Sequence, residues 1–167
     1  MNETAFIRPA RRQDLAALTE IYNQAIRDGR CTCDTAEFTE AERLPWLQSH
    51  EDPAYPLFVA ECDGVPAGYS YLTSYRGGRP AVRGLAEVSY YVDFRFHGRG
   101  LGTRLLERAM EAARSLGYRD LVAILLSCNE QSIRLLRKHG FSEWGCLPDV
   151  AELPGGRCSH LYYGIHL

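Results

Sequence analysis

Seven consecutive residues constrain this chain more than any others: His97-Gly98-Arg99-Gly100-Leu101-Gly102-Thr103. They follow Leu85 to Val92, a run rich in β-branched and aromatic residues, and precede the helical repeat of Leu101, Leu105, Leu106, Ala109, Ala113 and Leu116. Three glycines therefore stand where a strand hands over to an amphipathic helix. Glycines at such a junction let the backbone curl close to a ligand, and the unpaired amides of the helix's first turn carry partial positive charge. The loop suits a phosphate or pyrophosphate, with a ligand-free tight turn as the alternative. Two phosphate-binding schemes fail on the letters. In the frame Gly98-x-Gly100, the third glycine of a dinucleotide fingerprint falls on Thr103, and the acidic residue that should end the next strand is instead Asp120, which precedes it. The Gly-x-x-x-x-Gly-Lys-Ser/Thr pattern of nucleotide triphosphatases is absent.

The helix closes at Gly117 and an apolar strand, Leu121 to Leu126, follows, so strand, helix and strand form a βαβ unit with parallel strands. Upstream, Ala5 to Arg8 is a short extended start. A first helix runs from Asp14 through Leu15, Leu18, Ile21, Tyr22, Ala25 and Ile26 to a stop at Gly29. Thr39-Glu40-Ala41-Glu42 forms a capping box for a second helix, which Pro45 keeps short or kinked. Pro56 to Glu61 and Ala67 to Thr73 are strands joined by the Asp63-Gly64 hairpin turn. Asn129 and Ser132 open a last helix, stopped by Gly140, and strands Phe141 to Leu147 and His160 to Leu167 complete the chain. The order β-α-α-β-β-β-α-β-α-β-β implies an α/β class, a mixed sheet flanked by helices. At 167 residues and 18.8 kDa, residues 1–167 make one domain.

Composition narrows the partners. Nineteen Lys and Arg against twenty-one Asp and Glu give a net charge of −2, so no global basic field draws nucleic acid or an acidic membrane. No apolar run approaches the roughly 18 residues of a membrane helix, and the start of the chain lacks the order of a signal peptide; a cytoplasmic location is expected. The six cysteines are then reduced thiols, and Cys31-Thr32-Cys33 lacks the spacing and the second pair of a zinc site, so no metal is expected.

Val92 to Gly102 followed by Leu105-Leu106, Asn129 with Ser132, and Gly140-Phe141 together resemble the GCN5-related N-acetyltransferase (GNAT) superfamily. The likeness extends over nearly the whole chain. It includes Ile7-Arg8-Pro9-Ala10 with Asp14, Ile21-Tyr22-Asn23, Val59-Ala60-Glu61 with Asp63-Gly64, and Glu87 to Val92. At Asn129-Glu130 and Phe141 to Leu153 it is most similar to the phosphinothricin and methionine sulfoximine acetyltransferases.

The resemblance implies the GNAT fold and an acetyl-CoA site. Its pyrophosphate would lie on the amides of His97, Gly98, Arg99, Gly100, Leu101, Gly102 and Thr103, and its pantetheine arm beside Tyr90, Tyr91 and Val92, with Asn129 and Ser132 across from it. His97 departs from the Arg or Gln that opens the family pattern, which matters little where main chain does the holding. Asn129 also fits a helix cap.

Amine acetylation needs a base, an oxyanion site and an exit for the thiolate. Glu87, an ionisable residue in an otherwise apolar and aromatic strand, is the candidate base, in agreement with the glutamate of the resembled subfamily. A main-chain amide near Tyr91 or Val92 would meet the oxyanion. Many relatives carry a Tyr as general acid where this chain has Leu136, which leaves Tyr90, Tyr91, His139 or water to supply that proton. For the acceptor's carboxylate Arg76, Arg79 and Arg83 are candidates, Arg76 best by position, with Phe38, Trp46 and Tyr75 as walls. The expectation is an acetyl-CoA-dependent N-acetyltransferase of a small amino-acid-like amine, of the phosphinothricin or methionine sulfoximine type, working as a homodimer. Peptide or protein N-terminal acetylation and a non-catalytic acyl-CoA-binding module are the alternatives.

Overall fold

The computed structural model describes residues 5–167; the reading of Met1 to Thr4 lies outside them. Its elements are β1 (Phe6–Pro9), α1 (Leu15–Asp28), α2 (Glu40–Ser49), β2 (Leu57–Cys62), β3 (Val65–Ser74), β4 (Leu85–Val92), α3 (Leu101–Ser115), β5 (Asp120–Leu126), α4 (Glu130–Lys138), β6 (Ser142–Leu153) and β7 (Gly156–His166). This is the order that periodicity and punctuation imply. Gly29 ends α1 at φ 73 in the left-handed region, and the Asp63-Gly64 turn takes φ 50 and 79, a hairpin geometry that suits those two residues. The Thr39 hydroxyl and the Glu42 carboxylate cap α2 reciprocally.

The seven strands form one sheet in the order β1-β2-β3-β4-β5-β7-β6. Every adjacent pair is antiparallel except β4 and β5, the parallel pair of the βαβ unit. Helices α3 and α4 cover one face, where Leu106, Ala109, Ala113 and Leu136 pack on Leu72, Val88, Leu121 and Leu161. Helices α1 and α2 cover the other, where Leu18, Ile21 and Leu47 meet Leu57, Val59 and Tyr69. The buried Arg8 guanidinium ties the β1 margin of the sheet to the start of α1. It donates to both Asp14 carboxylate oxygens at 2.8 Å and to Glu61 at 2.7 Å, joining β1, the start of α1 and β2.

The last two strands are longer than expected. The sequence reading ends the first of them at Leu147, but β6 continues through Pro148 to Leu153 by shifting register between Leu147 and Ala151, with Asp149 at φ 51. An edge strand absorbs such a bulge because the proline's missing N–H needs no partner on the open side.

Candidate functional site

Strands β4 and β5 stay together for only three residue pairs, Leu85 with Asp120, Ala86 with Leu121 and Glu87 with Val122. Beyond Glu87 they part, and β3 alone keeps pairing with β4 as far as Val92. The fork opens a cleft of about 330 Å³ whose walls are Val88 to Val92 on one side and Ala123 to Leu125 on the other. The glycine loop closes its wide end, α4 contributes Ser132, Leu135 and Leu136, and α1 contributes Ile21 and Ala25. A split sheet exposes main-chain donors and acceptors that an intact ladder would use, which makes it a receptor for an extended, amide-bearing ligand.

At the wide end, Gly98 and Gly100 sit at φ 76 and 75, a conformation costly for any residue with a Cβ. Gly100 begins α3 with no side-chain cap, and the first intrahelical bond runs from the Arg104 amide to the Gly100 carbonyl at 3.2 Å. The amides of Leu101, Gly102 and Thr103 are thus left without helical acceptors, at the positive end of a fifteen-residue helix. At Gly102 a Cβ would stand 3.3 Å from the Leu135 side chain, so glycine there lets α3 and α4 close on the cleft.

The turn that presents this loop is braced from below. Buried Asp93 accepts from the Arg95 amide at 2.9 Å and from its guanidinium at 2.7 Å. Burial alone would push the Asp93 carboxyl up, but the bonds from Arg95 hold it below the usual carboxylate range. His97 donates from Nε2 to the Val92 carbonyl at 3.0 Å, so its side chain pins the loop to the end of β4. Arg99 is exposed, lies outside the cleft lining and rests its guanidinium 5.0 Å from the Phe96 ring. Across the cleft, Asn129 accepts from the Ser132 amide at 3.2 Å and caps α4.

Glu87 occupies the last paired position before the fork, opposite Thr73 of β3 and beside the cleft-lining Val88, without itself lining the cleft. By strand alternation it shares a face with Ser89 and Tyr91, towards α1 and α2. Burial raises its carboxyl above the ordinary glutamate value, and no cation pairs with it among the described residues. The fork thus sets a desolvated carboxylate at its closed end and a bank of free amides at its open end.

On the Glu87 face lies a cluster that sequence inspection misses. Arg43, 7% exposed, stacks its guanidinium 3.7 Å from the Trp46 ring centre and 4.4 Å from that of Tyr22, and donates to the Tyr69 hydroxyl at 3.3 Å. No carboxylate pairs with it among the described residues. The only signal was the Arg-x-x-Trp spacing on α2, which puts the two side chains on one helix face. Tyr22 donates to the Asp34 carboxylate and shares a 2.9 Å bond with Thr32. Phe38 packs 5.9 Å from Tyr22 and is held by two bonds between its backbone and Asn23, outside the cleft lining.

The structure brings Tyr90, Tyr91, Val92, His97, Gly98, Gly100, Leu101, Gly102, Thr103, Asn129 and Ser132 around one cleft. It does not bring Arg76, Arg79 or Arg83 there: all three are exposed in the β3–β4 connection, Arg76 at φ 47. That connection begins at Tyr75, two residues after Thr73, the partner of Glu87, and so lies at the closed end of the fork.

Comparison with known proteins agrees with this geometry. Residues 17–141 match the acetyltransferase (GNAT) family. The YwnH protein of Bacillus subtilis (strain 168) is 41% identical over 153 residues, spanning 90% of this chain and 92% of that protein. The L-methionine sulfoximine/L-methionine sulfone acetyltransferase of Salmonella typhimurium is 35% identical over 86% of this chain and 84% of its own length. The crystal structure of a phosphinothricin acetyltransferase (Pat) from Sinorhizobium meliloti in complex with AcCoA superposes with a TM-score of 0.92 at 30% identity, covering 98% of this chain and 89% of that one.

Proposed function

The chain belongs to the acetyltransferase (GNAT) family, and on that premise we propose that it acetylates the amine of a small amino-acid-like acceptor, of the phosphinothricin or methionine sulfoximine type, using acetyl-CoA. The observation that carries this reading is the fork itself, with uncapped α3 amides at one end and the desolvated Glu87 at the other. The relatives that act on methionine sulfoximine and phosphinothricin support the acceptor class.

The residues present suit the donor. Loop 97–103, with Gly98 and Gly100 in a conformation that no side chain obstructs, would hold a diphosphate on the amides of Leu101, Gly102 and Thr103. The exposed β4 edge at Tyr90, Tyr91 and Val92 would pair with the amides of the pantetheine arm as a missing strand, with Asn129 and Ser132 facing it. When bound, acetyl-CoA supplies an acyl group already activated as a thioester.

The chain's own task is proton and charge management. An acceptor amine is mostly protonated at neutral pH, with a pKa of about 8 for an α-amino group. Glu87, whose carboxyl burial raises and so makes a stronger base than an ordinary glutamate, would remove that proton as the nitrogen becomes a nucleophile, a contribution of about 10²- to 10⁴-fold. A β4 main-chain amide near Tyr91 or Val92 would meet the negative oxygen. Arg76, at the Glu87 end of the fork, would take the acceptor's carboxylate, and Phe38, packed on Tyr22, would wall that side. We take the working form to be a cytoplasmic homodimer of one acetyltransferase domain, residues 1–167, a state that light scattering on the purified protein tests.

The deciding experiment is thiol release from acetyl-CoA across a panel of amino-acid analogues and short peptides, repeated with Glu87→Gln. Release that depends on a free amino-acid analogue and falls at least about 100-fold in the variant supports the reading. Acetyl-CoA binding without release for any amine would reduce the chain to an acyl-CoA-binding module.

A further inference from the structure

Two thiols that acetyl transfer does not use face each other beside the cleft. Cys128, half-buried in the turn between β5 and α4, and Cys158, buried on β7, hold their Sγ atoms 3.5 Å apart although 30 residues separate them in the chain. The sheet dictates this meeting. Strands β5 and β7 pair antiparallel as far as Leu126 with His160. The ladder then continues one step: the Ser127 amide donates to the Ser159 carbonyl at 2.9 Å, and the Ser159 amide to the Ser127 hydroxyl at 2.9 Å. Cys128 and Cys158 come next and stand opposite one another, where cross-strand Cα atoms are about 4.5–5.5 Å apart, inside the range that a disulfide spans.

The neighbouring thiols are engaged differently. Cys31, in the α1–α2 connection, is near enough to feel Cys128, but it donates to the Asp28 carboxylate at 3.4 Å, and burial pushes its thiol up to about 12, which leaves it inert near neutrality. Cys33, exposed in the same connection, feels Cys158. No three metal-binding side chains gather among the described residues, so the chemistry open to Cys128 and Cys158 is with each other. Burial, and after it the adjacent Cys158, raises the Cys128 thiol, against the smaller opposing pull of Arg30. The pair therefore rests protonated and reduced near neutral pH and closes only when an oxidant is supplied.

We propose that Cys128 and Cys158 are a redox-responsive pair, which a hydroperoxide closes to a reversible disulfide that fixes the α4 wall of the cleft. One sulfur, as thiolate, attacks a peroxide oxygen; the O–O bond breaks, a sulfenic acid forms and, with hydrogen peroxide, a water leaves. The second sulfur attacks the sulfenic sulfur, the S–S bond forms as the S–O bond breaks, and a second water leaves. Two thiols have then lost two electrons and two protons, and one peroxide has become two waters. A dithiol reductant reverses the bond by exchange. The staple joins β7 to the turn that leads into Asn129, whose side chain caps α4; Asn129 and Ser132 line the cleft, so the bond restrains the wall that presents them. Its formation does not depend on what the cleft binds.

The test exposes the reduced, purified protein to hydrogen peroxide and reads intact mass, free-thiol titre and a peptide map. The mass should fall by about 2 Da, the two hydrogens lost, with one cross-linked pair of peptides that contains Cys128 and Cys158. The titre should fall from six thiols to four, and dithiothreitol should restore all three readings. The oxidised form should melt about 5–15 °C higher, as expected for a bridge that closes a loop of this length in a chain of this size. Amides of residues 127–132 should exchange with deuterium about 10-fold more slowly or less still. Cys158→Ser should show none of these changes, and Cys33→Ser should show them all. Mass, map and melting curve are read on the unmodified protein, so a variant that fails to fold leaves the test intact. A bond from Cys128 to Cys31 or from Cys158 to Cys33, oxidation of Cys128 to the sulfinic acid without a cross-link, or a cross-linked form whose α4 amides exchange as before overturns the proposal.

Discussion

Replacing Gly100 by alanine separates backbone strain from ligand contact. Gly100 holds φ 75, and a Cβ built there meets no protein atom within 4 Å. The folded protein should therefore lose only the cost of a left-handed alanine, about 1–2 kcal/mol. For a chain of this length that is about 2–8 °C in melting temperature. Gly117 provides the matched control: it holds φ 80, also faces open space, and follows the other end of α3, about 22 Å along the helix at 1.5 Å per residue. Gly117→Ala should lose a similar amount of stability. The two should diverge in acetyl-CoA affinity. If this turn cradles the diphosphate as proposed, an added methyl group there acts as overpacking, worth about 1–3 kcal/mol or roughly 5- to 150-fold in Kd. Calorimetry on both variants, with melting curves on the same samples, reads the two effects independently. Equal affinity in Gly100→Ala and Gly117→Ala would refute the placement of the diphosphate on this turn.

Three further outcomes follow from the same geometry. With Glu87 in the proposed role of base, activity should fall as pH drops through its pKa, which burial sets above the ordinary glutamate value; a pH–rate profile should show that acid limb in the unmodified enzyme and not in Glu87→Gln. Arg8→Met leaves buried Asp14 with only the Arg11 amide as a strong partner and should cost about 3–5 kcal/mol by denaturant melts. Burial alone would raise the Asp14 carboxyl, but Arg8 and the Arg11 amide hold it below the usual value, so the stability it contributes is present above about pH 4 and is lost as pH falls through the depressed folded value; the variant should show less of this acid loss. Arg43→Met, by contrast, orphans no carboxylate and forfeits three ring contacts, the one to Phe38 at 6.0 Å being the longest, and one hydrogen bond, so the same melts should show a smaller loss, about 1–2 kcal/mol.

What was legible in the sequence was local. Gly29, Asp63-Gly64, the Thr39 capping box and the 97–103 loop each announce themselves through the backbone angles or caps they serve, and the structure places each where its chemistry requires. The fork was not legible, because the separation of β4 from β5 after Glu87 depends on what packs beneath each strand and not on the letters of either. The run of β6 through Pro148 escaped notice because its tolerance comes from an edge position that only the assembled sheet defines. Arg43 is a charged residue on a short helix, and only the convergence of Tyr22, Trp46 and Tyr69 from three elements shows it to be buried.

Hydrogen–deuterium exchange with and without acetyl-CoA tests the whole arrangement most directly. Amides of residues 88–92 and 98–104 should become protected on binding, with the β3–β4 connection unchanged until an acceptor is added. Protection that falls elsewhere, or none at concentrations that saturate binding, would contradict the account.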